Sequence, residues 1–455
     1  SKPTDRQTDR LQTRERKEKS TVSTSYFVPR ENFKVMAWGK KSHGVDDLVM
    51  QLRRNCTAET MCVMRSRKFD AEEVTMFSNA LGPNTSLKAL LLAGHPLSPE
   101  AAAVISESLG RNRALERLTL GDPKFGDEGL KSFITGGLQR NGSLTSLDLE
   151  FRGLSPASAL LLGAFLGGPP HESAVTSDGS SSSSSSSARE DGEDLGPPPL
   201  KELLLGRNTL AASPPAFAAL LRGVRSHAHL TSLDVSGNGV LEAGADAAST
   251  HLALLAGQPT LQKLLLSDNA FGPFAAPHLS TLLRTLPRLA VLDVDGTGLG
   301  DAGLVELAQA LEACTRCPLE ELCAARNAAG PLAAAALASA LPRCPRLRVL
   351  RLGSNALGDA GASALASTAV VATGGGRDGG GRALDLLDVA RNGIGGEGAA
   401  ALVGAASRGL TSDLVLLGNP LGDEGVSALA AAFKPKNTGG TGSAAAAGGG
   451  GAFET

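Results

Sequence analysis

One pattern recurs in phase along this chain: Leu-x-x-Leu-x-Leu-x-x-Asn-x-Leu, then a Gly-Asp-x-Gly turn and an apolar stretch of helical spacing. Copies start at Leu87, Leu115, Leu144, Leu200, Leu230, Leu261, Leu289, Leu319, Leu347, Leu384 and Thr411, most of them 27 to 31 residues apart. A period of that length holds one short strand and one full helix. Such a unit cannot bury its apolar side alone, so neighbouring units must stack. The repeat therefore dictates a solenoid whose core grows along one axis. It also lifts the usual rule that a chain of 455 residues divides into two or three domains.

Within each unit, leucines at positions one, four and six point inward from the strand, and the residues between them face out. The asparagine at position nine (Asn208, Asn238, Asn269, Asn327, Asn355, Asn392, Asn419) ends the strand. Its side-chain amide can both donate to and accept from backbone groups that the turn would otherwise bury unpaired. The aspartates of Gly126-Asp127, Gly300-Asp301, Gly358-Asp359 and Gly422-Asp423 sit where the N-cap of the following helix is expected. Leu304, Leu307 and Leu311 then recur at helical spacing. Aromatic residues make up only 3 % of the chain, so thin layers of aliphatic side chains must build the core.

The segments outside the pattern divide the chain. Residues 1–45 are a polar arm, expected to be largely disordered; residues 1–44 carry eleven Lys/Arg against five Asp/Glu. Residues 46–86 form an N-terminal cap or adapter, with a short helix near Val45–Arg54 and a weak, atypical copy at Cys62, Met64 and Phe69. The solenoid proper spans 87–433. It is interrupted by a disordered Ser/acidic insertion at 172–199, with Ser180 to Ser187 in series, and by a Gly-rich insertion at 374–382. Both fall between a helix and the next strand, so both emerge on one edge. Residues 434–455 are a flexible Gly/Ala-rich tail. Ser187, with Glu190 three residues on, fits an acid-directed kinase.

A net charge of −2 argues against nucleic acid as the main target. Six cysteines in so long a chain do not make a disulfide framework. No apolar run approaches the roughly 20 residues of a membrane span, and the first residues show no apolar leader. A reduced, cytoplasmic setting is the expectation, with cytoskeletal or ciliary association compatible with it.

The in-phase copies over roughly residues 60–433 resemble the ribonuclease-inhibitor-like family of leucine-rich repeats. The resemblance implies an α/β horseshoe with an inner parallel sheet and outer helices, about eleven repeats plus an atypical N-terminal cap. It further implies a curved surface that binds another macromolecule and performs no catalysis. The family includes an inhibitor of ribonucleases, sensor ends of nucleotide-binding immune receptors, an activator of the nuclear-transport GTPase, and cytoskeletal and ciliary scaffolds. A protein-binding scaffold or adapter, part of a larger complex, is the expected function. A GTPase-activating protein, and a receptor sensor end or ciliary/cytoskeletal subunit, are the alternatives.

Three apparent chemical motifs dissolve on inspection. Gly298-Leu299-Gly300-Asp301-Ala302-Gly303 reads as a dinucleotide fingerprint, but Gly393-Ile394-Gly395-Gly396-Glu397-Gly398 does the same in another repeat; both are strand-to-helix turns. Cys314-x-x-Cys317, with Cys323 and Cys344, offers one close pair where a structural zinc site wants two. A GTPase activator needs an exposed arginine or an ordered asparagine, for which Arg152 and Arg207 are the nearest arginines. No cofactor and no metal is expected.

The outward strand positions carry the strongest signal. Position five reads Leu91, Thr119, Asp148, Leu204, Asp234, Leu265, Asp293, Cys323, Arg351, Asp388 and Val415, with Glu150 and Asp295 two residues further on and Glu320 and Glu321 at positions two and three. These residues either share one concave acidic field suited to a basic protein partner, or reflect the frequency of Asp in such strands. The candidate binding residues are Asp148, Glu150, Asp234, Asp293, Asp295, Glu320, Glu321, Arg351 and Asp388, and Asp293 and Asp295 are expected to point away from the core.

Overall fold

In a computed structural model, the described residues are 44–167, 197–240, 244–372, 384–432 and 453–454. Nearly all of the arm, residues 172–196 of the serine-acidic insertion, the whole Gly-rich insertion and most of the tail lie outside them. The described residues from 44 onward belong to one unit. The short helix Asp46–Arg53 precedes the first strand and buries Leu48, Val49 and Leu52.

The strands are β1 Thr60–Cys62, β2 Ala89–Ala93, β3 Arg117–Gly121, β4 Ser146–Asp148, β5 Glu202–Leu204, β6 Ser232–Asp234, β7 Lys263–Leu265, β8 Val291–Asp293, β9 Glu321–Cys323, β10 Val349–Arg351, β11 Leu384–Asp388 and β12 Thr411–Val415. They form one parallel sheet in strict chain order, and Phe453–Glu454 adds a last short strand, β13, against β12. Helices alternate with the strands. Strands repeat at about 4.8 Å and packed helices at about 8–10 Å, so stacking such units bends the solenoid with the sheet on the inner, concave side. Among the described residues, no helix is long and apolar enough to cross a membrane.

Register confirms the inward column. Leu233, Leu264, Leu292, Leu322, Leu350 and Leu387 are successive partners, and each is at most 1 % exposed. Each such leucine contributes roughly 2–3 kcal/mol by burial.

The position-nine asparagines do more than end their own strand. Asn238 donates to the Leu205 carbonyl of the preceding repeat at 3.0 Å, and Asn327 donates to Val294 at 2.8 Å. The backbone N–H of Asn238 donates in turn to the Asn269 side-chain oxygen. The amides thus form a ladder from repeat to repeat. A second ladder, unread in the sequence, runs along the opposite end of the strands. Asn112 donates to Leu81 and Asn84 carbonyls and accepts from Leu115 N; Asn141 and Gln258 repeat the arrangement. His227 belongs to it, with its Nε2 at 3.1 Å from the Pro198 carbonyl oxygen. Burial holds the His227 imidazole below its ordinary pKa. Further along, the same position holds Leu286 and Cys344.

The turn aspartates correct the sequence reading. Asp127, Asp301 and Asp359 lie inside the first turn of their own helices, Gly126–Thr135, Gly300–Ala313 and Gly358–Ala372, rather than at the N-cap. Each carboxylate instead caps the next repeat's helix. Asp301 accepts from Gly330 N and Ala333 N at 2.8 Å each, at the start of helix Pro331–Ala340. Asp359 accepts from Gly395 N and Gly398 N at 2.7 and 2.9 Å, at the start of Gly396–Ser407. A Cβ at residue 398 would lie 2.5 Å from that carboxylate, so only glycine fits. Asp127 takes Ser155 and Ser158. Burial pushes its carboxyl up, but those bonds outweigh it and hold it below the usual range. The Gly residues of the turns supply the remaining geometry: Gly298, Gly300 and Gly393 are left-handed at φ +74°, +68° and +67°.

Asp301→Ala removes the cap from a neighbouring helix whose own N-cap is Gly330, so a loss of about 1–2 kcal/mol is expected by chemical denaturation. Asp423 has no following helix among the described residues, and Asp423→Ala should change the midpoint little. Equal losses for the two variants would refute capping in trans.

Candidate functional site

Strand register brings the position-five residues into one row. Leu91, Thr119, Asp148, Leu204, Asp234, Leu265, Asp293, Cys323, Arg351, Asp388 and Val415 pair successively along the sheet. The four aspartates of that row share a local duty. Each accepts the backbone N–H two residues on: Asp148 from Glu150 at 2.9 Å, Asp234 from Ser236 at 2.8 Å, Asp293 from Asp295 at 2.9 Å and Asp388 from Ala390 at 2.9 Å. This closes the turn at the strand end. Asp is frequent at this position for a structural reason.

The expectation that these carboxylates project freely is therefore corrected at Asp293, which is 1 % exposed. Its row neighbours Leu265 and Cys323 are buried too, and its own turn folds it down. Leu265 on β7 also separates Asp234 from Asp293, so the two aspartates are not on adjacent strands. Asp148 accepts from Thr119 Oγ1 at 3.2 Å. Glu150 lies 3.4 Å from Arg207 Nε; burial raises its carboxyl, and Arg207 opposes this. Glu320, at position two and outside the row, pairs with Arg346 of the following connection.

What remains is a compact group on β8, β9, β10 and β11. Asp295 is half-buried just past β8 and accepts Ala325 N at 2.6 Å. Burial pushes its carboxyl up to about 6, and Asp293 pushes the same way; the Ala325 N–H and the positive charges of Arg326 and Arg351 oppose them. Glu321 accepts from Arg351 Nε at 3.2 Å and from the Cys323 thiol at 3.5 Å. Burial and the neighbouring carboxylates raise the Cys323 thiol far above its ordinary pKa, so it stays protonated. Asp388 sits beside Arg351 in the row.

Arg326 was missed in the sequence. It reaches across a whole repeat to Asp268, 2.6 Å away. The repeat between contributes Gly296, whose absent Cβ would stand 3.0 Å from both Asp268 and Arg326. The signal was a glycine at a turn position where the flanking repeats carry Asp and Arg. Arg152, in contrast, is 7 % exposed, with Nε on the Leu120 carbonyl at 2.5 Å. It holds backbone and presents no finger. Among the described residues, no group of His, Cys, Asp and Glu is arranged to hold a metal.

The open parallel sheet with helices on one side, its asparagine ladder and its in-phase leucines define a leucine-rich-repeat protein. The leucine-rich-repeat family profile matches residues 226–247, 343–366, 384–403 and 413–430. Ribonuclease inhibitor from Sus scrofa is 25 % identical over 315 residues, 69 % of this chain and 68 % of that protein. The chain has the leucine-rich-repeat solenoid fold and is similar to ribonuclease inhibitor over about two thirds of its length. A shorter stretch of 93 residues is 38 % identical to Tonsoku-like protein from Mus musculus, covering 20 % of this chain and 7 % of that one. Among solved structures, the yeast Rad7–Elc1 complex is similar with a TM-score of 0.46 and 16 % identity, over 74 % of this chain and 70 % of that one. An internalin from Listeria monocytogenes follows with a TM-score of 0.39 and 16 % identity, over 86 % and 93 %.

Proposed function

We propose that this protein is a non-catalytic binding scaffold that receives a basic segment of a partner protein on its concave face, centred on Asp295. The observation that carries this reading is the half-buried Asp295 carboxyl, held near a pKa of 6 against Asp293. A carboxylate placed where burial and a like charge oppose its ionisation costs stability. An incoming lysine or arginine would relieve both penalties. Glu321, Arg351 and Asp388 supply polar partners on the next strands, and a rigid sheet orders them in advance, so little entropy is lost on binding. Similarity to a ribonuclease inhibitor supports macromolecular recognition as the general mode. The burial of Arg152 removes one of the two arginines a GTPase-activating role would use; the other, Arg207, is exposed and faces Glu150.

Binding of a fluorescent hexalysine peptide to the full chain tests the site. It should weaken with salt, because screening acts over about 8–10 Å near physiological ionic strength. Asp295→Asn combined with Glu321→Gln should weaken it about tenfold or more. An unchanged affinity would exclude this face and move the site to the edge carrying the helix-to-strand connections.

A further inference from the structure

That edge holds a second feature, independent of the concave face, where one connection is longer than its neighbours. The C-cap that closes a helical segment stands three residues before the next repeat start at Asn112, Asn141, Leu286 and Cys344. Between β8 and β9 the C-cap is Cys314, five residues before Leu319. The extra length falls at Thr315-Arg316, both exposed, and the repeat does not require it. An open cavity of about 610 Å³ lies there, between the connections that precede β8, β9 and β10. Thr315, Arg316, Pro318, Arg343, Pro345 and Arg346 are among its lining residues, none of which is acidic.

An arginine at a helix end commonly serves the last carbonyls. Arg113 does so on this same edge, its Nη1 donating to the Gly110 and Arg140 carbonyls at 2.8 and 3.1 Å. Arg316 and Arg343 are different. Among the described residues, their exposed guanidiniums donate to no carbonyl and have no carboxylate partner. Arg346 is paired with Glu320. Three guanidiniums and one carboxylate leave two positive charges uncompensated around the cavity.

We propose that this cavity receives a phosphorylated serine or threonine in an extended segment of a partner protein. A phosphate monoester carries close to two negative charges at neutral pH and three acceptor oxygens. That matches two free guanidiniums, each able to donate two parallel hydrogen bonds, with the Thr315 hydroxyl as a further donor. The volume is that of a ligand pocket rather than of a single anion, so the residues flanking the phosphate have room. Pro318 and Pro345 restrict φ in both connections. The loops are therefore ordered in advance and lose little freedom on binding. Single-stranded nucleic acid, the other phosphate-bearing partner, is held by aromatic rings on which its bases stack. No aromatic residue lines this cavity.

Fluorescence anisotropy with the full chain and a labelled peptide, Ala-Gly-phosphoserine-Gly-Ala, tests the site. The unphosphorylated peptide should bind at least about tenfold more weakly. Arg316→Ala combined with Arg343→Ala should weaken phosphopeptide binding about tenfold or more. Both side chains are exposed, and circular dichroism checks that the fold is kept. Asp295→Asn with Glu321→Gln should leave phosphopeptide binding unchanged, which separates this site from the concave face. Inorganic phosphate should displace the peptide only at about tenfold its concentration or more, because it lacks the flanking residues. Equal affinity of the double-alanine variant and wild type, a loss in the concave-face variant, or displacement by an equal concentration of inorganic phosphate would each overturn the proposal. So would tighter binding of an oligothymidylate through the same two arginines.

Discussion

Asn269→Ala is expected to lower stability by about 3–5 kcal/mol, the largest single-residue loss in the solenoid outside its leucine column. Asn269 is 1 % exposed. Its amide donates to the Val235 and Leu266 carbonyls, both at 2.9 Å, and its oxygen accepts Asn238 N at 2.8 Å. Truncation deprives three buried backbone groups of this partner at once, each at a cost of roughly 1–3 kcal/mol. Because Asn269 bonds to the preceding repeat, the loss also falls on the interface that couples one unit to the next. Denaturation followed by circular dichroism should show an earlier and broader transition, separating into two where the coupling fails. Asn419→Ala should cost less: Asn419 makes the same kind of bonds, donating to the Val389 and Leu416 carbonyls and accepting Asn392 N and Ile394 N, but from a half-buried position in the last repeat where water can replace them. A midpoint for Asn269→Ala within about 1 kcal/mol of wild type would show that the ladder is decoration.

The sheet, the inward leucine column, the strand-ending asparagines and the outward row were all legible, because each follows from a period of two within strands and about 29 between them. Those periods are properties of the sequence alone. What escaped is whatever depends on how neighbouring repeats meet. Asp301 looked like a cap for its own helix, because capping is usually read along one chain segment; in space the nearer orphan N–H groups belong to the next helix. Asp293 looked exposed because it alternates outward, yet Leu265 and Cys323 beside it and the N–H of Asp295 draw it under the surface. Glu320 and Glu321 are adjacent in sequence and part company, one to Arg346 and the other to Arg351. Arg326 gave no signal by itself. Only the glycine of the intervening repeat marks the path along which it reaches Asp268.

Asp295→Asn should make the protein more stable and a weaker binder at the same time, and pH separates the two effects. The folded pKa of Asp295, about 6, lies above the 3.8 of an ordinary aspartate. The fold therefore favours the protonated form. Its contribution is fully present below about pH 4 and is lost as pH rises through 6. The difference of about two pKa units corresponds to roughly 2–3 kcal/mol. Asparagine keeps an oxygen to accept Ala325 N and cannot ionise. The variant should match wild type near pH 4 and exceed it by roughly 2–3 kcal/mol at pH 7.5, read from denaturation midpoints at both values. The surrounding groups, Asp293, Glu321, Asp268, Arg326, Arg351 and Cys323, are common to both proteins, so the difference isolates residue 295. Binding runs the other way. A cationic ligand favours the carboxylate, so wild-type affinity for hexalysine should rise between pH 5 and 7 with release of a proton, while the variant's affinity stays flat across that range. A wild-type stability curve parallel to that of Asp295→Asn would show that the carboxyl is ionised at no cost, and the case for a site built around it would fall.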